Sequence, residues 1–247
     1  MIVSKTVLGA QASSIPEVFE GNKGFAEVIA GQFELDWSRE DLERVTRTIV
    51  KKYNAETHAP SAIEGLLELK HTHSFAAADV AKIEVETFDV AYHIIGGGEE
   101  GDKTVALTKE AADHSLPYML AVAVIDDQVM PEQYLPERIG RPDVQTLLRQ
   151  ISVRLSPDYS HGFPEDLPCR LIVSRTDGRV LMSEKRDYEG FLTRPMSWET
   201  VTQKFERLSA PYAAPSLRRR IIDAVARPEA IQVADLQRLL AQVRLTH

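Results

Sequence analysis

The chain has 247 residues, of which 43% are hydrophobic and 27% charged, enough apolar material for one large folded domain or two modest ones. A formal net charge of −8 argues against a nucleic-acid or anionic-membrane surface, though a locally basic pocket for a small anion remains compatible with it. Cys169 is the single cysteine, which excludes an internal disulfide and a cysteine-based zinc cluster. No apolar run approaches bilayer length and the first residues lack a signal-peptide pattern, so the expectation is a cytoplasmic protein.

In chain order, residues 1–51 read as helical. "GFAEVIAG" is followed by "SREDLERVTRTIVKKY", in which Leu42, Val45, Ile49 and Val50 share one helical face. Ser38 is placed to cap that segment with Asp41 three residues on, and Trp37 would anchor its start.

Residues 52–194 mix the two periodicities. "SAIEGLLELK" predicts a helix with a capping box from Ser61 to Glu64 and an apolar face of Ile63, Leu66 and Leu67. "AKIEVETFDVAYHII" alternates Ile83, Val85 and Thr87 with Lys82, Glu84 and Glu86, as a half-buried strand does. "LPYMLAVAVIDD" and "RPDVQTLLRQI" predict helices with a proline in the first turn, and "SVRLSPDY" a short strand. "CRLIVSRTDGRVLMSEK" predicts a hairpin turning at Asp177-Gly178. From residue 195 on the pattern is helical again. Ser197 caps "WETVTQKFERL", followed by "SLRRRIIDAVAR" and "VADLQRLLAQVRL".

The expected organisation is therefore α+β. Helical segments at 1–51 and 195–247 flank a smaller α+β unit at 52–194 with an antiparallel sheet.

Four clusters carry candidate chemistry. "IIGGGEEGDKT" lacks the Gly-Lys-Thr order of a phosphate-binding loop, and Glu99 and Glu100 would repel phosphate, so it reads as an acidic surface loop. His71 and His73 stand two apart with no third ligand nearby, so they predict a solvated helix-to-strand linker and no metal site.

In "KKYNAETHAPSAIEG", Lys51, Lys52 and His58 precede a helix start, where free N–H groups favour carboxylates. In "DHSLPYMLAVAVIDD", Ser115 can cap a helix beside His114 and Tyr118, two proton-transferring side chains. On the residues alone, a carboxylate site and ordinary helix caps both remain open.

Three segments carry a resemblance. "KEAADHSLPYMLAVAVIDD", "YNAETHAPSAIE" and "VFEGNKGF" (residues 18–25) occur in the order and at the intervals of signatures of the MmgE/PrpD family of 2-methylcitrate dehydratase-like lyases. The resemblance runs from about Ile15 to about Leu208. It implies an all-helical domain built from both chain ends around an α+β lid. It also implies cofactor-free elimination, decarboxylation or epimerisation of small di- and tricarboxylic acids.

Carried over by motif, His58 and Tyr118 would be the catalytic pair, with Lys52 and His114 as substrate-binding groups and no metal. The resemblance covers only the C-terminal half of a typical member. The expectation is therefore a site completed by a companion chain or a second copy in a homodimer. The alternative is a catalytically incomplete module that binds organic acids or another protein. Asn54 and Asp127 depart from the family pattern, which more often has proline and an Asp-Gly pair there.

Overall fold

The computed structural model describes residues 43–244, together with Gly31, Asp36, Ser38 and Asp41 ahead of them. Two compact units are distinguished, Met1–Arg47 and Thr48–His247. "GFAEVIAG", "VFEGNKGF", Leu42 and Trp37 lie outside the described residues.

In the first unit, Ser38 and Asp41, the predicted capping pair, make local polar contacts. The amide and hydroxyl of Ser38 donate to Asp36 Oδ1 at 3.1 and 2.6 Å, and Asp41 takes the Glu43 amide at 2.9 Å and pairs with Arg47. Side-chain oxygens that capture nearby N–H groups compete with helix propagation, and among the described residues of the segment the helical ones, Ser38 and Arg44–Arg47, are 3-10 rather than α.

The second unit is organised by a four-stranded sheet, β1 (Val80–Thr87), β2 (Ile151–Leu155), β3 (Cys169–Arg175) and β4 (Val180–Lys185), in the order β2-β1-β3-β4. The predicted alternation of β1 holds, with Ile83, Val85 and Thr87 buried and Lys82 exposed. The expected antiparallel sheet is mixed instead. β3 runs antiparallel to both β1 and β4, but β2 pairs parallel with β1, from Ile83–Ile151 to Thr87–Leu155. A parallel neighbour needs a long crossover, and residues 88–150 supply it. The hairpin forms as predicted, with Gly178 at φ 85°.

One face of the sheet is apolar and buried. The other carries a charged ladder in which Glu84 pairs with Arg154 and with Lys82 at 2.9 Å, and Arg170 with Glu86 at 3.4 Å and Glu184 at 3.3 Å. Cys169 opens β3 from the inner face, only 2% exposed, and burial pushes its thiol up to about 12.

Two helices cover the inner side. Helix α1 (Pro60–His73) packs against β3, β4 and a central helix, α3 (Leu116–Asp126). The short α2 (Lys109–Asp113) precedes α3, and α4 (Pro142–Leu148) packs on its far side.

Helix α3 is apolar all round, and every residue from Leu116 to Val124 is buried, as a helix in the middle of a core requires. Its cap is the predicted one, Ser115 Oγ accepting the Tyr118 amide at 3.0 Å. Its last turn ends at Asp127, φ 62°, whose carboxylate takes Lys70 at 2.9 Å and His71 at 2.7 Å from the end of α1. His71 and His73 thus belong to the last turn of α1 rather than to a linker.

The predicted Ser61–Glu64 capping box does not form. Helix α1 begins one residue earlier, at Pro60, which places Ser61 inside the first turn with its hydroxyl unpartnered. The Glu64 carboxylate is drawn away by distant cations. It pairs with Arg194, lies 3.2 Å from Lys185 and 3.8 Å from Lys52, and accepts the Glu189 amide at 3.1 Å.

Helices α5 (Trp198–Ser209), α6 (Pro215–Ala226) and α7 (Val233–Leu240) follow. Ser197 caps α5 as predicted, accepting the Thr200 amide at 3.1 Å. Ala213, Leu217, Ile221, Ala224 and Leu239 make a second, smaller core there. No described helix is long and apolar enough to cross a membrane.

Two stability predictions follow from this packing. Gly190 has φ 113°, and a Cβ there would lie 2.0 Å from the Val50 carbonyl oxygen. Gly190→Ala is expected to lower unfolding free energy by about 2 kcal/mol or more in urea titration.

Burial pushes the Glu64 carboxyl up, but the Arg194 and Glu189 hydrogen bonds and the Lys185 charge outweigh it and hold it below its ordinary 4.5. The native state therefore binds fewer protons there than the unfolded chain as pH falls past that value. The Glu64 contribution is present in full above 4.5 and is lost as pH drops through the lower native value. Glu64→Gln is expected to be less stable at pH 7 by roughly 2 kcal/mol or more, because Arg194 and Lys185 lose their counter-charge. Its acid decline below 4.5 should be shallower than that of the unsubstituted chain.

Candidate functional site

The starts of α1 and α3 approach each other, and the chain ahead of each lines a common cleft of about 540 Å³. Lys51, Asn54, Ala55, Glu56 and Thr57 form one side, Lys109, Asp113 and His114 another, and Pro131, Tyr134 and Leu135 a third. Each side is fixed locally. Lys51 Nζ donates to the Ala55 carbonyl at 2.9 Å, closing its own loop, and the Asn54 amide donates to the Val129 carbonyl at 2.9 Å. Thr108 caps α2 by accepting the Ala111 amide at 3.2 Å, and Ser115 Oγ donates to the Lys103 carbonyl at 2.6 Å.

Three titratable groups of the cleft are paired with one another. His114 Nδ1 lies 2.5 Å from Asp113 Oδ1, and Lys109 lies 3.8 Å from the other oxygen of Asp113. The His114 side chain is half exposed. A carboxylate on one ring nitrogen fixes the tautomer and leaves the other nitrogen to exchange a proton.

Glu56 is the second carboxylate. Burial pushes it up, but the side chain and amide of His58 and the Thr57 amide outweigh this and hold it below the usual range. Lys204 donates to the Lys51 carbonyl just behind the cleft, and burial together with the Lys51 charge lowers its pKa.

Of the four residues singled out from sequence, His114 lines the cleft directly. His58 reaches it through Glu56. Its amide donates to Glu56 Oε2 at 2.8 Å, and its Nδ1 sits 2.8 Å from Oε1, off the line of a hydrogen bond. Phe88 and Phe163 stack on each other at 4.9 Å between centroids, and the His58 ring packs against the side of that pair, 5.7 and 5.6 Å from the two centroids. Phe88 and Phe163 wall a second hollow of about 430 Å³ with Asp89, Ser160 and His161.

Tyr118 lies beneath the cleft rather than on it. Its side chain is fully buried, its hydroxyl donates to the Gln133 carbonyl, and burial pushes it up to about 12. Lys52 points to Glu189 Oε2 at 2.7 Å, in the ion network around Glu64.

Sequence reasoning placed Lys51 beside the site but passed over Glu56, Lys109, Asn54, Thr57 and Tyr134. Lys109 stands four residues before Asp113 on one helical turn, which is a readable signal. Tyr134 has none, because it comes from a separate 3-10 turn, Pro131–Tyr134. His71 is held by Asp127, and among the described residues no group of three or more His, Cys, Asp or Glu side chains is placed to hold a metal ion.

Comparison with known proteins finds relatives that share part of their length with this chain. The chain is 23% identical over 203 residues to cis-aconitate decarboxylase of Mus musculus, covering 75% of this chain and 40% of that protein. It is 29% identical over 137 residues to 2-methylcitrate dehydratase of Cupriavidus necator, 52% of this chain and 27% of that protein. It is 27% identical over 169 residues to the mitochondrial 2-methylcitrate dehydratase of Yarrowia lipolytica, 64% and 31% of the two chains. The chain thus spans less than half the length of these curated relatives. Residues 53–230, which contain every side of the cleft but Lys51, match the MmgE/PrpD C-terminal domain, and the chain belongs to the MmgE/PrpD family.

Proposed function

We propose that the cleft binds a small di- or tricarboxylic acid and that the chain forms the C-terminal portion of a 2-methylcitrate dehydratase-like lyase. The observation that carries this reading is the convergence of Lys51, Lys109 and His114 on one 540 Å³ cleft, with Asn54 and Thr57 as neutral partners. Two lysines suit two carboxylates of a ligand, and the Asp113–His114 pair supplies a positioned base.

In an elimination, His114 would take the proton next to a carboxylate while the departing hydroxyl leaves as water on receiving a proton. Lysine charge would stabilise the enolate-like intermediate state. His58 enters as a positioning group acting through Glu56. Tyr118 enters as the residue that fixes Gln133 and the turn carrying Tyr134. The remaining acid and carboxylate contacts would come from outside the described residues, from preceding chain, a companion chain or a second copy. No cofactor is required by this chemistry.

The test is a lyase assay on 2-methylcitrate and cis-aconitate, run with the chain alone and with a companion supplying the helical half. Turnover is expected to fall about a hundredfold or more in His114→Ala and Lys51→Ala. Turnover that survives both substitutions unchanged moves the site elsewhere. Binding without turnover in every combination selects the non-catalytic acid-binding module. Absence of both binding and conversion overturns the reading.

A further inference from the structure

A buried phenol almost always finds a hydrogen-bond partner. Tyr134, Tyr159 and Tyr188 are all buried, the hydroxyls of Tyr134 and Tyr188 have none, and of these three Tyr134 lines the cleft. We propose that Tyr134 is a ligand-contact residue whose hydroxyl donates a hydrogen bond to a carboxylate or hydroxyl oxygen of the acid bound in the cleft. This inference rests on the carboxylic-acid reading of the site and extends it by naming a donor that the family motifs do not contain.

The position of the hydroxyl is fixed before any ligand arrives. Tyr134 is 3% exposed and closes a 3-10 turn, Pro131–Tyr134, that is clamped at several points. Gln133 accepts the Met130 amide at 3.0 Å through Oε1 and donates to Asp126 at 3.1 Å through Nε2. The Gln133 carbonyl takes the Tyr118 hydroxyl, and the Tyr118 ring lies 6.0 Å from the Tyr134 ring. The turn therefore holds the phenol in place, and because the hydroxyl itself has under 1 Å² of accessible surface, a ligand oxygen reaches it only where the wall over it gives way.

The hydroxyl is also held in its donor form. Burial first, then the Asp113 carboxylate and Tyr118, raise its pKa well above the usual tyrosine range. A neutral phenol beside Lys51 and Lys109 adds a directional donor to a pair of cations. Such a group discriminates between acids by the placement of an oxygen rather than by total charge.

The experiment measures affinity for 2-methylcitrate and cis-aconitate in the full chain, in Tyr134→Phe and in Tyr159→Phe. Tyr134→Phe is expected to weaken binding about tenfold or more, the loss of a hydrogen bond to a charged acceptor, while Tyr159→Phe leaves affinity unchanged. As a readout that does not depend on the variant folding, 3-fluorotyrosine placed at 134 should shift its fluorine resonance when acid is added. Equal affinity in Tyr134→Phe, or an unmoved resonance at saturating acid, overturns the proposal and leaves the acid-binding reading intact. Failure of the unsubstituted chain to bind either acid overturns that reading, and the proposal falls with it.

Discussion

Glu64 keeps its carboxylate almost out of contact with water, and the cations that neutralise it come from three separate stretches of chain. Lys185 ends β4, Arg194 follows the loop after it, and Lys52 precedes α1. A buried ion pair of this kind adds little net stability over an apolar substitute, but it penalises arrangements that leave one partner alone. Here the penalised arrangements are those in which the first turn of α1 is not seated against the end of β4. Since the chain ahead of that turn forms one side of the cleft, the carboxylate sets where Lys51, Glu56 and Thr57 stand. Glu189 extends the same network to α5 through Thr200 at 2.7 Å.

The opposite side of the cleft depends on packing rather than on charge. Helix α3 is buried from Leu116 to Val124, so its start cannot rotate, and Ser115 ties it back to residue 103. His114 stands just ahead of the capping Ser115, with Asp113 as its ring partner. Rigid scaffolds with functional groups at element ends are a common way to reconcile stability with an open site. The segments ahead of α1 and α3 thus meet because a charge network places one and a hydrophobic helix places the other.

What could be read from sequence was what is local. The alternation of Ile83, Val85 and Thr87, the Asp177-Gly178 turn, and the caps Ser115 and Ser197 all depend on residues within a few positions of each other. The capping box at Ser61 and Glu64 had the same local form, yet Arg194 lies 130 residues away and claims the carboxylate. Parallel pairing of β2 with β1 was equally hidden, because a strand does not encode the direction of its neighbour. The same holds for the site. His114 stood in a readable motif beside a capped helix. Tyr118 was readable as a helix-start residue, but the carbonyl that takes its hydroxyl is fifteen residues on, in a turn with no motif. His58 was placed correctly before α1, though its packing against the stacked Phe88 and Phe163 needed the folded chain.

Cys169 gives the molecule a built-in clock. The only thiol of the chain opens a central strand from the inner face, and burial keeps it protonated, since its pKa lies near 12. Alkylating reagents attack the thiolate, so modification waits on excursions that pull β3 away from its neighbours. The rate at which a thiol reagent labels this chain is therefore a measure of how often the sheet opens, obtained without introducing any probe. A ligand that bridges the starts of α1 and α3 would slow that rate in proportion to its occupancy, turning an inert side chain into an occupancy gauge for the cleft.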